Sequence, residues 1–158
     1  MNDRPSILNM TVPDFTAEMT GGDGFRLSEH RGKKVVLYFY PKDNTPGCTA
    51  ESLQFRDLHD RFTRAGAEIF GISRDSLRSH DGFKGKLGLP FELISDSDEK
   101  VCTMFDVIVM KSLYGKKVRG VERSTFVIDA DGKIVKEWRG VKVPGHVDEV
   151  LEFIEGLG

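Results

Sequence analysis

One stretch, residues 35–51 (VVLYFYPKDNTPGCTAE), constrains the fold more than any other part of the chain. Its first six residues are apolar without alternation, which is typical of a strand buried on both faces of a parallel sheet. Pro41 ends that strand, and Cys48 follows a Thr-Pro-Gly turn. Apolar residues then recur at helical spacing until Gly66, which predicts one helix with a cysteine at its mouth. The apolar face of this helix carries Phe55, Leu58, Phe62 and Ala65.

The position of Cys48 favours a reactive thiolate. In the first turn of a helix the backbone N–H groups have no intrahelical partner, and the positive end of the helix dipole stabilises an anion. A lone cysteine is otherwise most often a small buried thiol on an apolar stripe. Because Cys48 follows a polar turn instead, we interpret it as a nucleophile.

The pattern formed by Pro41, Thr45 and Cys48 resembles PxxxTxxC, the active-site signature of the peroxiredoxins. The fuller run YPKDNTPGCTAE resembles the bacterioferritin comigratory protein, or peroxiredoxin Q, subfamily. This resemblance implies a thioredoxin-like fold and reduction of peroxides by the Cys48 thiolate, with Thr45 and Arg123 assisting. The further matching blocks are VPDF at 12–15, FGISRDS at 70–76, LPFELISD at 89–96 and RSTFVIDADGKI at 123–134.

Peroxide reduction moves negative charge from the attacking sulfur to the departing oxygen, so both ends of the reacting system need stabilisation. Thr45 and Arg123 are the expected groups. Their alternatives are a turn cap for Thr45 and a solvated strand-end charge for Arg123. Pro41 is expected to stiffen the loop and limit solvent around the thiolate. Glu51, in the first turn of the helix, is expected to support the site by orienting nearby polar groups.

A second thiol must reduce the sulfenic acid that peroxide leaves on Cys48. Many members of the resembled subfamily carry a cysteine five positions after the first, and this chain has Leu53 there. Cys102 lies in a short apolar segment, where a core thiol is the default, and a disulfide needs α-carbons within roughly 7 Å. We therefore predict a one-cysteine cycle with an external thiol, and Cys102 as resolving cysteine is the alternative.

Composition limits the remaining functions. The 158 residues, 39% hydrophobic and 30% charged, predict a single globular domain over 1–158. A formal charge of −2 gives no reason to expect nucleic acid or a membrane surface as partner. Two isolated cysteines and the absence of a signal-peptide pattern predict a cytoplasmic protein. The four histidines do not pair with a cysteine at ligand spacing, so we expect neither a metal nor another cofactor.

The expected partners are peroxides as substrates and the thioredoxin or glutaredoxin/glutathione system as reductant. We expect a monomer, with a weak dimer as the alternative. One competing function is a thioredoxin-type disulfide oxidoreductase, but such proteins normally use CxxC and this chain has CTAE at 48–51. The other is a non-enzymatic binding module or holdase, which would consume no peroxide.

The order of predicted elements indicates an α/β fold with a mixed central sheet flanked by helices. The expected strand at 67–73 is parallel to the first, because one helix connects the two. Ser97 is expected to cap a short helix, and 107–121 to form a loop on the active-site side. The other expected elements are an edge strand at 14–18, a turn at 20–24, a helix at 76–87, a strand at 91–95, hairpin strands at 125–128 and 134–138, and a helix at 147–156.

Overall fold

The computed structural model describes residues 5–157. No helix in this part of the chain is long and apolar enough to cross a membrane. The strands are β1 (Thr16–Met19), β2 (Phe25–Arg26), β3 (Lys34–Phe39), β4 (Ala67–Ser73), β5 (Leu93–Ser95), β6 (Ile108–Leu113), β7 (Lys116–Val121), β8 (Ser124–Ile128) and β9 (Ile134–Arg139). The helices are α1 (Pro46–Asp57), α2 (His59–Arg64), α3 (Leu77–Leu87), α4 (Lys100–Met104) and α5 (His146–Gly156), with a 3-10 turn at Leu27–His30.

The main sheet has the strand order β2-β1-β5-β4-β3-β8-β9. Strands β3, β4 and β5 are mutually parallel, whereas β8 is antiparallel to both β3 and β9. The predicted mixed α/β sheet is therefore confirmed. So is the parallel pairing of the first two buried strands, because α1 and α2 connect β3 to β4 as a crossover.

Strand β3 divides the core into two apolar clusters, one on each face of the sheet. Successive strand side chains point to opposite faces, which explains why an unbroken apolar run is needed when both faces are covered. One cluster, called here the Cys48 face, contains Val36, Tyr38, Tyr40, Cys48, Phe55, Phe62, Phe83 and Val150. The other, the Cys102 face, contains Val35, Leu37, Phe39, Val101, Cys102, Phe105 and Phe126.

The helix predicted to continue to Gly66 is broken in two. Helix α1 ends at Asp57, and Leu58, with φ −102° and ψ 5°, separates it from α2. Phe55 and Phe62 are fully buried on either side of the break, while Leu58 is half-buried. The apolar spacing runs across the break, so periodicity alone could not reveal it.

The prediction of a loop at 107–121 was wrong. Strands β6 and β7 form an antiparallel hairpin outside the main sheet, with Leu113 paired to Lys116. Tyr114 and Gly115 make the connection with φ angles of 51° and 77°, as a tight two-residue hairpin turn requires. Both strands are largely exposed, so they lack the apolar alternation that identifies a strand in a sequence.

Ser97 does not cap helix α4. The buried carboxylate of Asp96 accepts hydrogen bonds from the backbone N–H groups of Val101 and Cys102, with N···O distances of 3.0 and 2.7 Å. The residue directly before the helix is Glu99, whose φ of 62° places it in the left-handed region. The chain thus turns back toward Asp96, and a carboxylate at the positive end of the helix replaces the predicted hydroxyl.

Gly71 on β4 allows the ring of Tyr38 to cross the strand, so Gly71→Ala is expected to destabilise the protein. A Cβ atom there would lie 2.7 Å from Tyr38 Cζ and 2.8 Å from Leu93 Cδ2. Overpacking of this kind costs roughly 1–3 kcal/mol of unfolding free energy. The matched control is Gly82→Ala in α3, where a Cβ atom would meet nothing within 4 Å. This variant should raise the unfolding free energy by about 0.5–1 kcal/mol. Urea denaturation of both variants checks the pair, and equal midpoints would contradict the prediction.

Candidate active site

The candidate site lies at the carboxyl end of β3, where the chain turns into α1. Pro41 follows the strand and is half-buried, and Thr45 precedes the helix with extended backbone angles. Pro46 occupies the first helical position, where its missing N–H is not needed. Cys48 therefore falls in the first turn of a twelve-residue helix, and it is only 1% exposed.

Strand pairing brings Arg123 to the same place. Phe39, the last residue of β3, pairs with Ser124, the first residue of β8, so Arg123 lies just beyond the end of β3. Its guanidinium donates from Nη2 to the Cys48 sulfur at 3.3 Å and from Nη1 to Glu51 Oε1 at 2.7 Å. Three residues separated by up to 75 positions thus form one polar cluster.

The electrostatics of this cluster follow from its burial. The Glu51 side chain is fully buried, and burial raises the pKa of its carboxyl to about 7 although Arg123 opposes the shift. The pKa of Arg123 is lowered by burial, but the charges and hydrogen bonds of Glu51 and Cys48 outweigh that effect and raise it overall. The guanidinium accordingly stays charged beside the cysteine sulfur.

Glu51→Gln is expected to change how stability depends on pH. Because the pKa of Glu51 rises from 4.5 unfolded to about 7 folded, its stabilising contribution is complete below pH 4.5 and is lost as the pH rises through 7. The unfolding free energy of the parent should therefore fall relative to the variant across that window, by on the order of 1 kcal/mol or more. Urea titrations between pH 4.5 and 8 measure this difference. The exposed Glu152→Gln is the control, and a pH-independent difference for Glu51→Gln would contradict the assignment.

Thr45 lies beside the cluster without a described hydrogen bond to it. Its hydroxyl donates to the carbonyl oxygen of Lys42 at 2.8 Å. A hydroxyl has one proton and two lone pairs, so the Thr45 oxygen can still accept a hydrogen bond from a substrate.

Cys102 is not brought to the site. It lies in α4 on the Cys102 face of the sheet, whereas Cys48 belongs to the apolar cluster on the opposite face. Both cysteines are free. Burial, together with the hydrogen bond and negative charge of Asp96, raises the pKa of the Cys102 thiol far above its usual range. A thiol in that state is a poor nucleophile at neutral pH.

Gly47 contributes to the site in a way that sequence reasoning did not detect. A Cβ atom at this position would lie 3.1 Å from Arg123 Nη2, so the absence of a side chain lets the guanidinium cross the first turn of α1. The Pro-Gly dipeptide by itself indicates only a turn. This close approach comes from an arginine 76 positions later, which local sequence cannot show.

Comparison with known proteins identifies the family. The AhpC/TSA family matches residues 8–137. Peroxiredoxin Bcp of Xanthomonas campestris is 52% identical over 142 residues, covering 90% of this chain and 89% of the relative. Peroxiredoxin Bcp of Bacillus subtilis is 45% identical over 150 residues, covering 95% and 96%.

A solved structure of the X. campestris bacterioferritin comigratory protein, from work on its alkyl peroxide reduction activity, superposes with a TM-score of 0.86. It is 49% identical and covers 90% of each chain. These matches confirm both the predicted subfamily resemblance and the thioredoxin-like fold. The chain therefore belongs to the peroxiredoxins, enzymes that reduce peroxides with a thiol, and within them to the Bcp/peroxiredoxin Q group.

Proposed function

We propose that the protein reduces hydrogen peroxide and organic hydroperoxides with Cys48 as nucleophile and Arg123 and Thr45 as its partners. The observation that carries this assignment is the 3.3 Å contact between the Arg123 guanidinium and the Cys48 sulfur. That contact places a fixed positive charge where the thiolate must form. The alkyl peroxide reduction activity addressed in the X. campestris relative supports organic hydroperoxides as substrates.

In the reaction the Cys48 thiolate attacks the hydroxyl oxygen of the peroxide and the O–O bond breaks. The products are a sulfenic acid on Cys48 and hydroxide or alkoxide, which takes up a proton. Negative charge thus moves from sulfur to the leaving oxygen, and the Arg123 guanidinium lies where it can stabilise both positions. Glu51 holds the guanidinium from the other side by the 2.7 Å hydrogen bond, which keeps its donors aimed at the sulfur.

Thr45 would orient the substrate. Since its proton is engaged by the Lys42 carbonyl, its oxygen faces a peroxide only as an acceptor. The peroxide hydroxyl is a donor, so accepting from it would turn the terminal oxygen toward the sulfur. Pro41 and Pro46 would limit the movement of this loop during the approach.

The same geometry supports a one-cysteine cycle. Cys48 and Cys102 lie on opposite faces of the sheet, and Leu53 occupies the position where many relatives have a second cysteine. An external thiol would attack the sulfenic acid with release of water, and a second thiol would then free Cys48 from the mixed disulfide. Thioredoxin or the glutaredoxin/glutathione system is the expected source of these thiols.

A monomer suffices for the proposed reaction, because Cys48, Glu51 and Arg123 come from one chain. Two cysteines that form no disulfide suit the reducing cytoplasm, which is the proposed location.

A coupled assay tests the proposed function. Protein at substoichiometric concentration should consume hydrogen peroxide and an alkyl hydroperoxide repeatedly when thioredoxin, glutaredoxin with glutathione, or a small dithiol is supplied. Comparison of the three reductants identifies the physiological class. Absence of turnover with all of them would favour a binding module or holdase instead.

The one-cysteine cycle makes a separate prediction. One equivalent of peroxide added to reduced protein should give a product that a sulfenic-acid trap labels, as seen by intact-mass measurement. The reason is that Cys102 is held on the other face of the sheet and cannot form a disulfide without local unfolding. A fast, untrapped loss of two protons that Cys102→Ser abolishes would show an internal disulfide and contradict the prediction.

A further inference from the structure

A buried polar network lies beside the active-site loop and takes no direct part in the proposed peroxide chemistry. At its centre, His80 of α3 approaches Asp43 of the loop, with Nδ1 2.7 Å from Asp43 Oδ2. The two side chains are 0% and 1% exposed. The hydroxyls of Tyr40 and Ser79 also donate to the Asp43 carboxylate, at 2.7 and 2.8 Å. One carboxylate therefore joins the end of β3, the loop and helix α3.

The imidazole of His80 is fixed at both nitrogens. Nε2 lies 2.9 Å from the carbonyl oxygen of Ile94 on β5, which can only accept a hydrogen bond. Burial tends to raise the pKa of Asp43, but the hydrogen bonds from His80, Tyr40 and Ser79 outweigh that effect and lower it. Asp43 is accordingly a carboxylate, which can only accept, so His80 Nδ1 donates the hydrogen bond between them. The contact is a fully buried hydrogen bond between α3 and the loop.

The network ends on the peptide group between Lys42 and Asp43. The Asp43 N–H of this peptide donates a hydrogen bond to Asp75 Oδ2 at 2.9 Å. The Lys42 carbonyl oxygen accepts one from the Thr45 hydroxyl at 2.8 Å. Because a peptide group is planar, fixing the direction of its N–H also fixes the direction of its C=O. The orientation of the Thr45 hydroxyl thus depends on how Asp43 and its partners hold the loop.

We propose that Asp43 and His80 are positioning residues for peroxide reduction, which act by holding the Lys42–Asp43 peptide in the orientation that Thr45 requires. The buried His80–Asp43 hydrogen bond ties the loop to α3. The peptide then engages the Thr45 proton, so that the Thr45 lone pairs face the substrate. This inference rests on the proposed function, in which Thr45 accepts a hydrogen bond from the peroxide.

Asp43, Asp75 and His80 are also close enough to share a metal ion. Hydrogen bonds within the protein already engage both Asp43 oxygens and both His80 nitrogens, which favours positioning over metal binding.

The double variant Asp43→Ala/His80→Leu tests the proposal. Removing both partners leaves no unpaired buried charge, so the fold should tolerate the change better than either single replacement. The rate constant for Cys48 oxidation by hydrogen peroxide should fall on the order of 10- to 100-fold, the scale of a small misplacement of a reacting group. Alkylation of Cys48 by iodoacetamide should keep its parental rate, because it needs the thiolate but not Thr45.

A double-mutant cycle with Thr45→Val adds a readout that a merely structural role would not move. If Asp43 and His80 act through Thr45, adding Asp43→Ala/His80→Leu to Thr45→Val should lower the rate of Cys48 oxidation by peroxide only slightly further. His30→Gln is the matched control. It removes a second histidine–carboxylate pair, in which His30 Nδ1 lies 2.9 Å from Glu68 Oε1, and should leave the peroxide rate unchanged.

Parental peroxide reactivity in the double variant would overturn the proposal. The proposal would also be overturned if the double variant lost the same factor in the rates of Cys48 oxidation and Cys48 alkylation. A loss of oxidation rate as large in the Thr45→Val background as in the parent would overturn it too. If the double variant does not fold, Ser79→Ala, which removes one donor to Asp43, should show the same selective loss to a smaller extent, and an unselective effect would overturn the proposal. If the parent itself does not react with peroxide, the proposed function fails first.

Discussion

Replacing Cys48 by serine is expected to abolish peroxide reduction, with a loss on the order of 10⁴-fold or more, because the attacking atom is removed. Serine is nearly isosteric with cysteine, and its hydroxyl can occupy the site beside Arg123. Its oxygen is not ionised near neutral pH, however, and cannot be oxidised as sulfur can. Peroxide consumption with a small dithiol as reductant, together with unfolding curves, separates lost chemistry from lost fold.

The matched control for this prediction is Cys102→Ser. Cys102 is equally buried, but it lies on the other face of the sheet, and burial and Asp96 raise the pKa of its thiol. Its replacement should leave peroxide turnover close to that of the parent. Activity that survives Cys48→Ser and disappears in Cys102→Ser would reverse the assignment of the nucleophile.

Arg123→Ala is expected to lower peroxide reactivity on the order of 100-fold, the scale observed when one preorganised group that stabilises charge is removed. The guanidinium contacts both the Cys48 sulfur and Glu51, so the variant loses the charge that stabilises the thiolate and the transition state. The peroxide reactivity of Arg123→Lys should lie between those of the parent and of Arg123→Ala. Lysine keeps the positive charge but cannot donate to the sulfur and the carboxylate from two fixed nitrogens at once. Stopped-flow measurement of Cys48 oxidation gives the rates.

Two further variants make the Arg123 result interpretable. Arg123→Ala/Glu51→Gln removes the buried carboxylate that would otherwise lose its partner, so that instability does not mimic lost catalysis. Arg61→Ala, which removes an exposed ion pair with Glu155 in which Nη2 lies 3.0 Å from Oε1, should react like the parent. A loss smaller than about threefold in a folded Arg123→Ala variant would assign Arg123 to structure, since a charge stabiliser is worth far more.

Much of the framework could be predicted from local sequence. The unbroken apolar run before Pro41 predicted a central strand, since both faces of β3 are covered. The strand at Ala67–Ser73, the helix predicted at 76–87 and the hairpin strands on either side of Asp131-Gly132 were confirmed. The helix begins at Leu77, and Ser76 caps it. Each of these signals is local, because chain geometry over a few residues determines strand alternation, helix ends and tight turns.

Other features depend on contacts that local sequence does not encode. The exposed β6–β7 hairpin lacks apolar alternation. At α4, Asp96 caps the helix in place of Ser97, and Glu99 takes a left-handed conformation. The members of the candidate site were predicted from the Cys48 motif and the matched block at Arg123, but their contacts were not.

The sequence by itself determined a buried strand that leads to a cysteine at the mouth of a helix, because strand burial and helix ends leave local patterns. Tertiary structure alone decided that Arg123 bridges Cys48 and Glu51, that its guanidinium lies close against Gly47, and that Cys102 lies across the sheet. The reason is that these relations depend on strand register. The pairing of Phe39 with Ser124 joins segments far apart in the chain, and no short window of sequence contains both partners.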